Sequence, residues 1–284
     1  MGAPVRPGGC RICFLPREPY NLVTPLLAAH LYNFLLLCWR SQCIPQDLKN
    51  AVTVTLYKNK GSRQDCNNYE GISLLSVVGK VLARVILPRL QVLAHLILPE
   101  SQCGFRPHRS TTDMIVTLRQ LQEKCLEQRK PLIVVFIDLT KAFDMLRRGG
   151  QFAILQRLGW PDIMLSIISG FHNRMQASAR YSGSSSKAFP VTRGVKQHRV
   201  LAPTLFAIYF SELLLRAFPS TSGVFLHSRS SGKLFNLSRF RTRSKTRRMF
   251  IRELLYADGA AFVAHSIADA QVLRNSFTAA CIDL

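Results

Sequence analysis

Short apolar runs that stop at acidic or turn residues alternate along this chain with apolar positions at helical spacing. Thr24-Pro25 reads as a helix start, with the helix running to about Arg40, and the alternation from Ala51 to Tyr57 predicts a strand leading into the polar turn Lys58-Asn-Lys60-Gly61. Gly71 to Leu98 reads as a helical region broken or bent at Pro88. Ser110-Thr-Thr-Asp113 predicts a capped amphipathic helix carrying Ile115, Leu118, Leu121 and Cys125. That helix leads to Leu132-Ile-Val-Val-Phe-Ile-Asp138, a run with no polar alternation that predicts a strand buried on both faces. Ala202 to Phe218 reads as an apolar core helix. Glu253 to His265 reads as two short strands joined at Asp258-Gly259, a strong hairpin signal.

Two of these elements end at carboxylates. An acid closing a buried strand is costly unless it is paired, hydrogen-bonded or bound to a cation. Asp138 is therefore a candidate metal ligand, and the competing reading, an N-cap for the following helix, stays open on this strand alone. The hairpin would present Asp258 at its tip. Two acids placed in this way form the arrangement with which two-metal phosphoryl-transfer enzymes hold Mg²⁺.

Composition adds a partner class. The 284-residue chain carries a formal net charge of +22 and a pI near 10.4, which points to a polyanion, and its 48% hydrophobic content is ample for a core. The longest apolar stretches, around Leu31 to Cys38 and Val81 to Leu98, are too short or too interrupted by Arg84, Pro88, Arg89 and His95 to cross a membrane, so no membrane partner is expected. The cysteines show no disulfide spacing, and no secretory leader is apparent, which gives an intracellular setting, nucleus or cytoplasm, as the default. Cys10 and Cys13 have the spacing of a zinc pair, but no second pair follows, and residues 1–22 read as an unmatched leader. His227 to Arg252 carries nine Lys or Arg and no acid. It reads equally as a solvated insertion or as the lining of a nucleic-acid groove.

The motifs resemble those of the reverse transcriptases of LINE-type (non-LTR) retrotransposons. Phe136-Ile-Asp138-Leu-Thr-Lys-Ala-Phe143-Asp144 is similar to their first palm motif, and Tyr256-Ala-Asp258-Gly259 to their Tyr-x-Asp-Asp motif with the last Asp replaced. Tyr69 to Leu75 is similar to a fingers motif, Glu100 to Arg106 to the block after it, and Gly194 to Pro203 to the second palm motif, all in the family's order. The resemblance implies an α+β fold with polymerase-type fingers and an antiparallel palm sheet over residues 23–284, thumb absent. It further implies RNA-directed DNA polymerisation, with Mg²⁺ as cofactor and an RNA template and DNA primer as partners.

The resemblance also assigns residues. Asp138 and Asp258 fall on the metal-binding positions, Phe143 on the aromatic position beneath the nucleotide sugar, and Gln197 on a position against template and nucleotide. Lys58 or Lys60 falls near the incoming phosphates, where a solvated turn is an equal reading, and Asp144 on an acidic position of structural character. Gly259 stands where the family has a third carboxylate, Glu70 where it has an Arg that grips the triphosphate, and His198-Arg199 where it has Gly-Cys. The expectation is therefore impaired or lost polymerisation, with a non-catalytic nucleic-acid-binding protein as the alternative. Gly259 is expected to supply a positive φ to the hairpin turn.

Overall fold

A computed structural model describes residues 25–139, 141–181, 183–195, 200–218, 223–229 and 246–283. The chain divides into two compact units, residues 1–41 and 42–284. In the first, helix α1 (Pro25–Ser41) begins at the expected proline. The second runs α2 (Gln46–Lys49), β1 (Ala51–Tyr57), β2 (Tyr69–Leu75), α3 (Val77–Ile97), α4 (Thr111–Glu127), β3 (Ile133–Asp138), α5 (Ala142–Met145), α6 (Arg148–Arg157) and α7 (Asp162–His172). It continues through β4 (Gln176–Tyr181), β5 (Ser184–Ser185), β6 (Phe189–Pro190), α8 (Ala202–Ala217), β7 (Val224–Arg229), β8 (Thr246–Ile251), β9 (Glu253–Tyr256), β10 (Gly259–Ala264) and α9 (Ile267–Asp283).

One sheet has the order β2-β1-β4-β5, with β6 also on β4; β1 pairs antiparallel with β2 over its whole length and parallel with β4. The expectation of helix from Gly71 is overturned here. Every residue from Tyr69 to Leu75 pairs with β1, and the helix begins only at Val77. Pro88 lies inside α3, which continues through it to Ile97 rather than breaking there.

The second sheet has the order β3-β10-β9, all antiparallel. Its two faces are covered differently. On one, Val134, Leu254, Ala261 and Val263 pack with Leu121 and Cys125 of α4 and with Val224 and Leu226 of β7. Helix α4 is set by its expected cap, the Asp113 carboxylate accepting from the Ser110 amide at 2.7 Å. On the other face, Phe262 meets the rings of Phe218 and Phe277 at 5.1 and 5.4 Å. From Phe277 the aromatic contacts continue through Phe210, Phe206 and Phe143 to Phe105. This ladder ties α9 and α8 to the segment after β3. Strand β3 is not buried on both faces as its composition suggests: it is the edge of the sheet, and Phe136 is 73% exposed.

A single guanidinium organises the turn between α7 and α8. Arg148 donates to the carbonyls of His172 and Val191 at 2.8 Å, Gly194 at 2.9 Å and Arg193 at 3.2 Å. Burial pulls it below its ordinary pKa, but four carbonyl acceptors keep the charge satisfied. Replacing Arg148 with Met removes every one of these donors, and the expected loss is about 2–4 kcal/mol of folding free energy, read from urea unfolding. An unchanged midpoint would show that the loop holds without Arg148.

Candidate active site

The register of β10 builds the site. Gly259 lies directly across from Asp138 on one side and from Tyr256 on the other, so Asp258, the second residue of the Ala257-Asp258 turn, sits beside the end of β3. Asp138 is exposed and Asp258 half-buried. Asp138 does not cap the helix after it, because the residue at that position is Lys141, in a left-handed conformation. The choice left open by the sequence therefore goes against the capping reading. Among the described residues, no ion pair engages either acid.

The turn differs from expectation in where it bends. Positive φ falls on Ala257, at 56°, and Gly259 is ordinary extended backbone at the start of β10. A left-handed alanine costs about 1 kcal/mol or more, so something must hold it. What holds it is the segment from Ser101 to Gly104. Leu255 donates to the Ser101 carbonyl at 2.8 Å, Cys103 donates to the Leu255 carbonyl at 2.9 Å, and Gln102, fully buried, accepts from the Gly104 amide at 2.8 Å. A Cβ on Gly104 would lie 2.0 Å from the Ala257 nitrogen, so only glycine lets the two backbones meet. The next residue, Phe105, turns its ring edge to Phe143 at 6.2 Å. Residues 101–105 thus touch both acid-bearing segments. Sequence reasoning noted this block but gave it no task; the available signal was a glycine inside a motif.

Other expected residues fall as follows. Phe143 is buried between Phe105 and Phe206, part of the aromatic ladder. The loop after β6 is locked to it: Val195 donates to the Phe143 carbonyl and Gly194 to that of Leu146, both at 2.9 Å. Gly194 has φ +78° and a Cβ there would lie 2.5 Å from the Asp144 carbonyl oxygen, so this glycine too is required by close approach. Gln197, His198 and Arg199 follow this anchor but lie outside the described residues. Lys58 leaves β1 exposed, its amide donating to the Asn68 carbonyl at 2.9 Å, and Glu70 pairs with Leu56 in the other sheet. The basic run is not wholly an insertion. It begins in β7 and ends beyond β8, two paired strands, and residues 230–245 between them lie outside the described residues.

Beside Asp138 is an open cleft of about 390 Å³, lined by Met114, Ile115 and Leu118 of α4, by Phe136 and Asp138, and by Tyr256 and Gly259. Two carboxylates offer the hard oxygen donors that a divalent cation takes. Among the described residues, no group of three or more His, Cys, Asp or Glu converges. A Cβ at Gly259 would meet only the Tyr256 carbonyl oxygen, at 3.4 Å, so the backbone leaves space for a side chain there.

The model of the reverse transcriptase (RNA-dependent DNA polymerase) family matches residues 57–228. Among curated proteins, the chain is 27% identical over 199 residues to the RNA-directed DNA polymerase from mobile element jockey of Drosophila melanogaster, covering 68% of this chain and 22% of that protein. It is 30% identical over 175 residues to the Pol polyprotein of the type-1 retrotransposable element R2 of Popillia japonica, covering 61% and 24%. The chain thus spans about a fifth to a quarter of the length of these relatives. Among solved structures, apo telomerase from Candida tropicalis, truncated from its C-terminal domain, superposes with a TM-score of 0.56 at 10% identity, over 87% of this chain and 51% of that one. Candida albicans telomerase in complex with a fragment of telomeric RNA gives 0.52 at 12% identity, over 88% and 43%. These likenesses establish the α+β fingers-and-palm fold.

The contact at Gly104 yields a paired test. Gly104→Ala is expected to lower stability by about 2 kcal/mol or more, because the obstacle is backbone, and to speed amide exchange at Leu255 and Cys103. Gly149→Ala, on a helix with nothing within 4 Å of the added carbon, is expected to be neutral or slightly stabilising. Equal effects of the two would show that residues 101–104 do not hold the turn.

Proposed function

The chain belongs to the reverse transcriptase family, as a LINE-type domain, and from that premise we propose that it is a fingers-and-palm portion, residues 23–284, whose polymerising chemistry is crippled while its nucleic-acid binding persists. The observation that carries this reading is Gly259, directly across from Asp138 and next to Asp258. Asp138 and Asp258 would hold Mg²⁺. Bound there, Mg²⁺ would supply activation of a primer 3′-hydroxyl and neutralisation of charge on the incoming triphosphate. By the resemblance, Phe143 would lie beneath the nucleotide sugar and Gln197 against template and nucleotide, and Lys58 would offer a cation to phosphate. Glu70 opposes that role, since it places a negative charge where a triphosphate needs a positive one. The partners are an RNA template and a DNA primer, met by a chain of net charge +22.

Losing one preorganised charge-stabilising group commonly lowers turnover by about 10²–10³, and here Gly259 and Glu70 bear on the same transition state. Primer extension on poly(rA) is therefore expected to be absent or feeble, and Gly259→Asp alone is expected not to restore it, because Glu70 and His198 remain. Robust extension by the unmodified chain, abolished by Asp138→Ala, would overturn the loss of chemistry. Absent extension together with salt-sensitive binding of RNA and DNA supports it.

A further inference from the structure

The β2-β1-β4 sheet carries a cluster of tyrosines for which polymerisation has no use. Tyr57 lies across from Tyr69, and because β4 runs parallel to β1 with Thr53 beside Ala179, the next position on the same face of β4 is Tyr181. This face is opposite to the one that bears Leu56 and Glu70. The Tyr57 and Tyr69 rings are 5.4 Å apart, and those of Tyr69 and Tyr181 6.0 Å.

The rings are held in place before any ligand arrives. Tyr57 donates its phenol to the Gly61 carbonyl at 2.5 Å and Tyr69 to the Arg63 carbonyl at 2.9 Å, so the turn after β1 fixes both. A hydrogen bond with Tyr181 is the main cause holding the Tyr69 phenol above its ordinary pKa. The floor beside them is low. Thr55 faces Gly71, and the hairpin after Tyr181 continues through Gly183, Ser184, Ser185 and Ser186. Tyr181 itself is 58% exposed, so its ring contributes little to the core. Cations accompany the cluster: the Arg63 guanidinium lies over the Tyr57 ring, 5.3 Å from its centre, and Lys60 is exposed in the same turn. The nearby Asp65 carboxylate is occupied as a helix cap, accepting from the Asn67 amide at 2.9 Å.

We propose that Tyr57, Tyr69 and Tyr181 form a stacking platform for unpaired bases of a single-stranded nucleic acid, with Lys60 and Arg63 meeting its phosphates, on the side of the sheet turned away from Glu70. Every base has a π-face, so such a platform binds without sequence preference, and rings already fixed lose little entropy on binding. A proline-rich peptide could also lie on tyrosines, but it has no need of flanking cations. The charge of the turn selects the polyanion.

The platform rests on the nucleic-acid-binding reading above, and the test separates the two. Fluorescence anisotropy is measured on labelled single-stranded RNA of about 12 nucleotides, and on the same strand with abasic sites, across a salt series. The unmodified chain is expected to bind the intact strand about fivefold or more tightly than the abasic one, and Tyr181→Ala to abolish that difference while leaving the salt slope unchanged. Tyr181→Phe is expected to keep it, since the ring and not the phenol does the stacking. Equal binding of intact and abasic strands, or Tyr181→Ala without effect on their ratio, overturns the platform and leaves the charge-driven reading standing. Absence of salt-dependent binding by the unmodified chain overturns both, and displacement of bound RNA by a proline-rich peptide in preference to a single strand overturns the choice of ligand.

Discussion

Strand β10 is hydrogen-bonded on both sides, and the placement of the acids depends on that double pairing. The pairing of Gly259 with Asp138 fixes where β3 ends relative to the turn, and its pairing with Tyr256 fixes the turn itself. A slip of one residue would turn Asp138 to the opposite face of the sheet. Two unlike cores oppose such a slip, the α4 and β7 side chains over Ala261 and Val263, and the phenylalanine ladder over Phe262. The same packing that stabilises the sheet therefore sets the geometry of the site.

The second constraint is the backbone contact between Gly104 and Ala257. Strain at a left-handed alanine persists only where surroundings over-determine it, and here the main-chain bonds to Leu255 on one side and the absence of a Cβ at Gly104 on the other do so. The backbone around the two acids is thus held independently of the side chain at position 259. Gly259 leaves β10 undisturbed, and Glu70 pairs normally within β2. A change at either position therefore bears on charge and not on packing, which is what the proposed separation of binding from polymerisation rests on.

Local signals were legible in the sequence, and long-range ones were not. The Ser110 cap, the proline that opens α1, the apolar α8 and the two strands around Asp258 each depend on neighbours a few residues away, and each stands where expected. Gly71 to Leu75 reads as helix because Ile72, Leu74 and Leu75 run into the apolar pattern from Val77 with only small serines between; pairing with β1 and the N-cap position at Ser76 separate the two. Leu132 to Asp138 reads as buried on both faces because composition cannot say what covers an edge strand, and Phe136 lies open. The sequence points to Gly259 for the positive φ of the turn since Asp-Gly is the commoner signal, whereas the deciding contact, at Ala257, comes from Gly104, far away in sequence. Arg148 gave no signal at all, because its four acceptors belong to other turns.

We infer that Asp138 and Asp258 form one cation site to which position 259 adds no ligand. The decisive experiment is Mn²⁺ binding followed by electron paramagnetic resonance, on the unmodified chain and on Asp138→Asn, Asp258→Asn and Gly259→Asp. A shared site gives weak binding that falls about tenfold or more with either Asn substitution, no further fall when the two are combined, and tighter binding with Gly259→Asp. Binding that survives both Asn substitutions, or that responds to only one of them, would contradict a shared site.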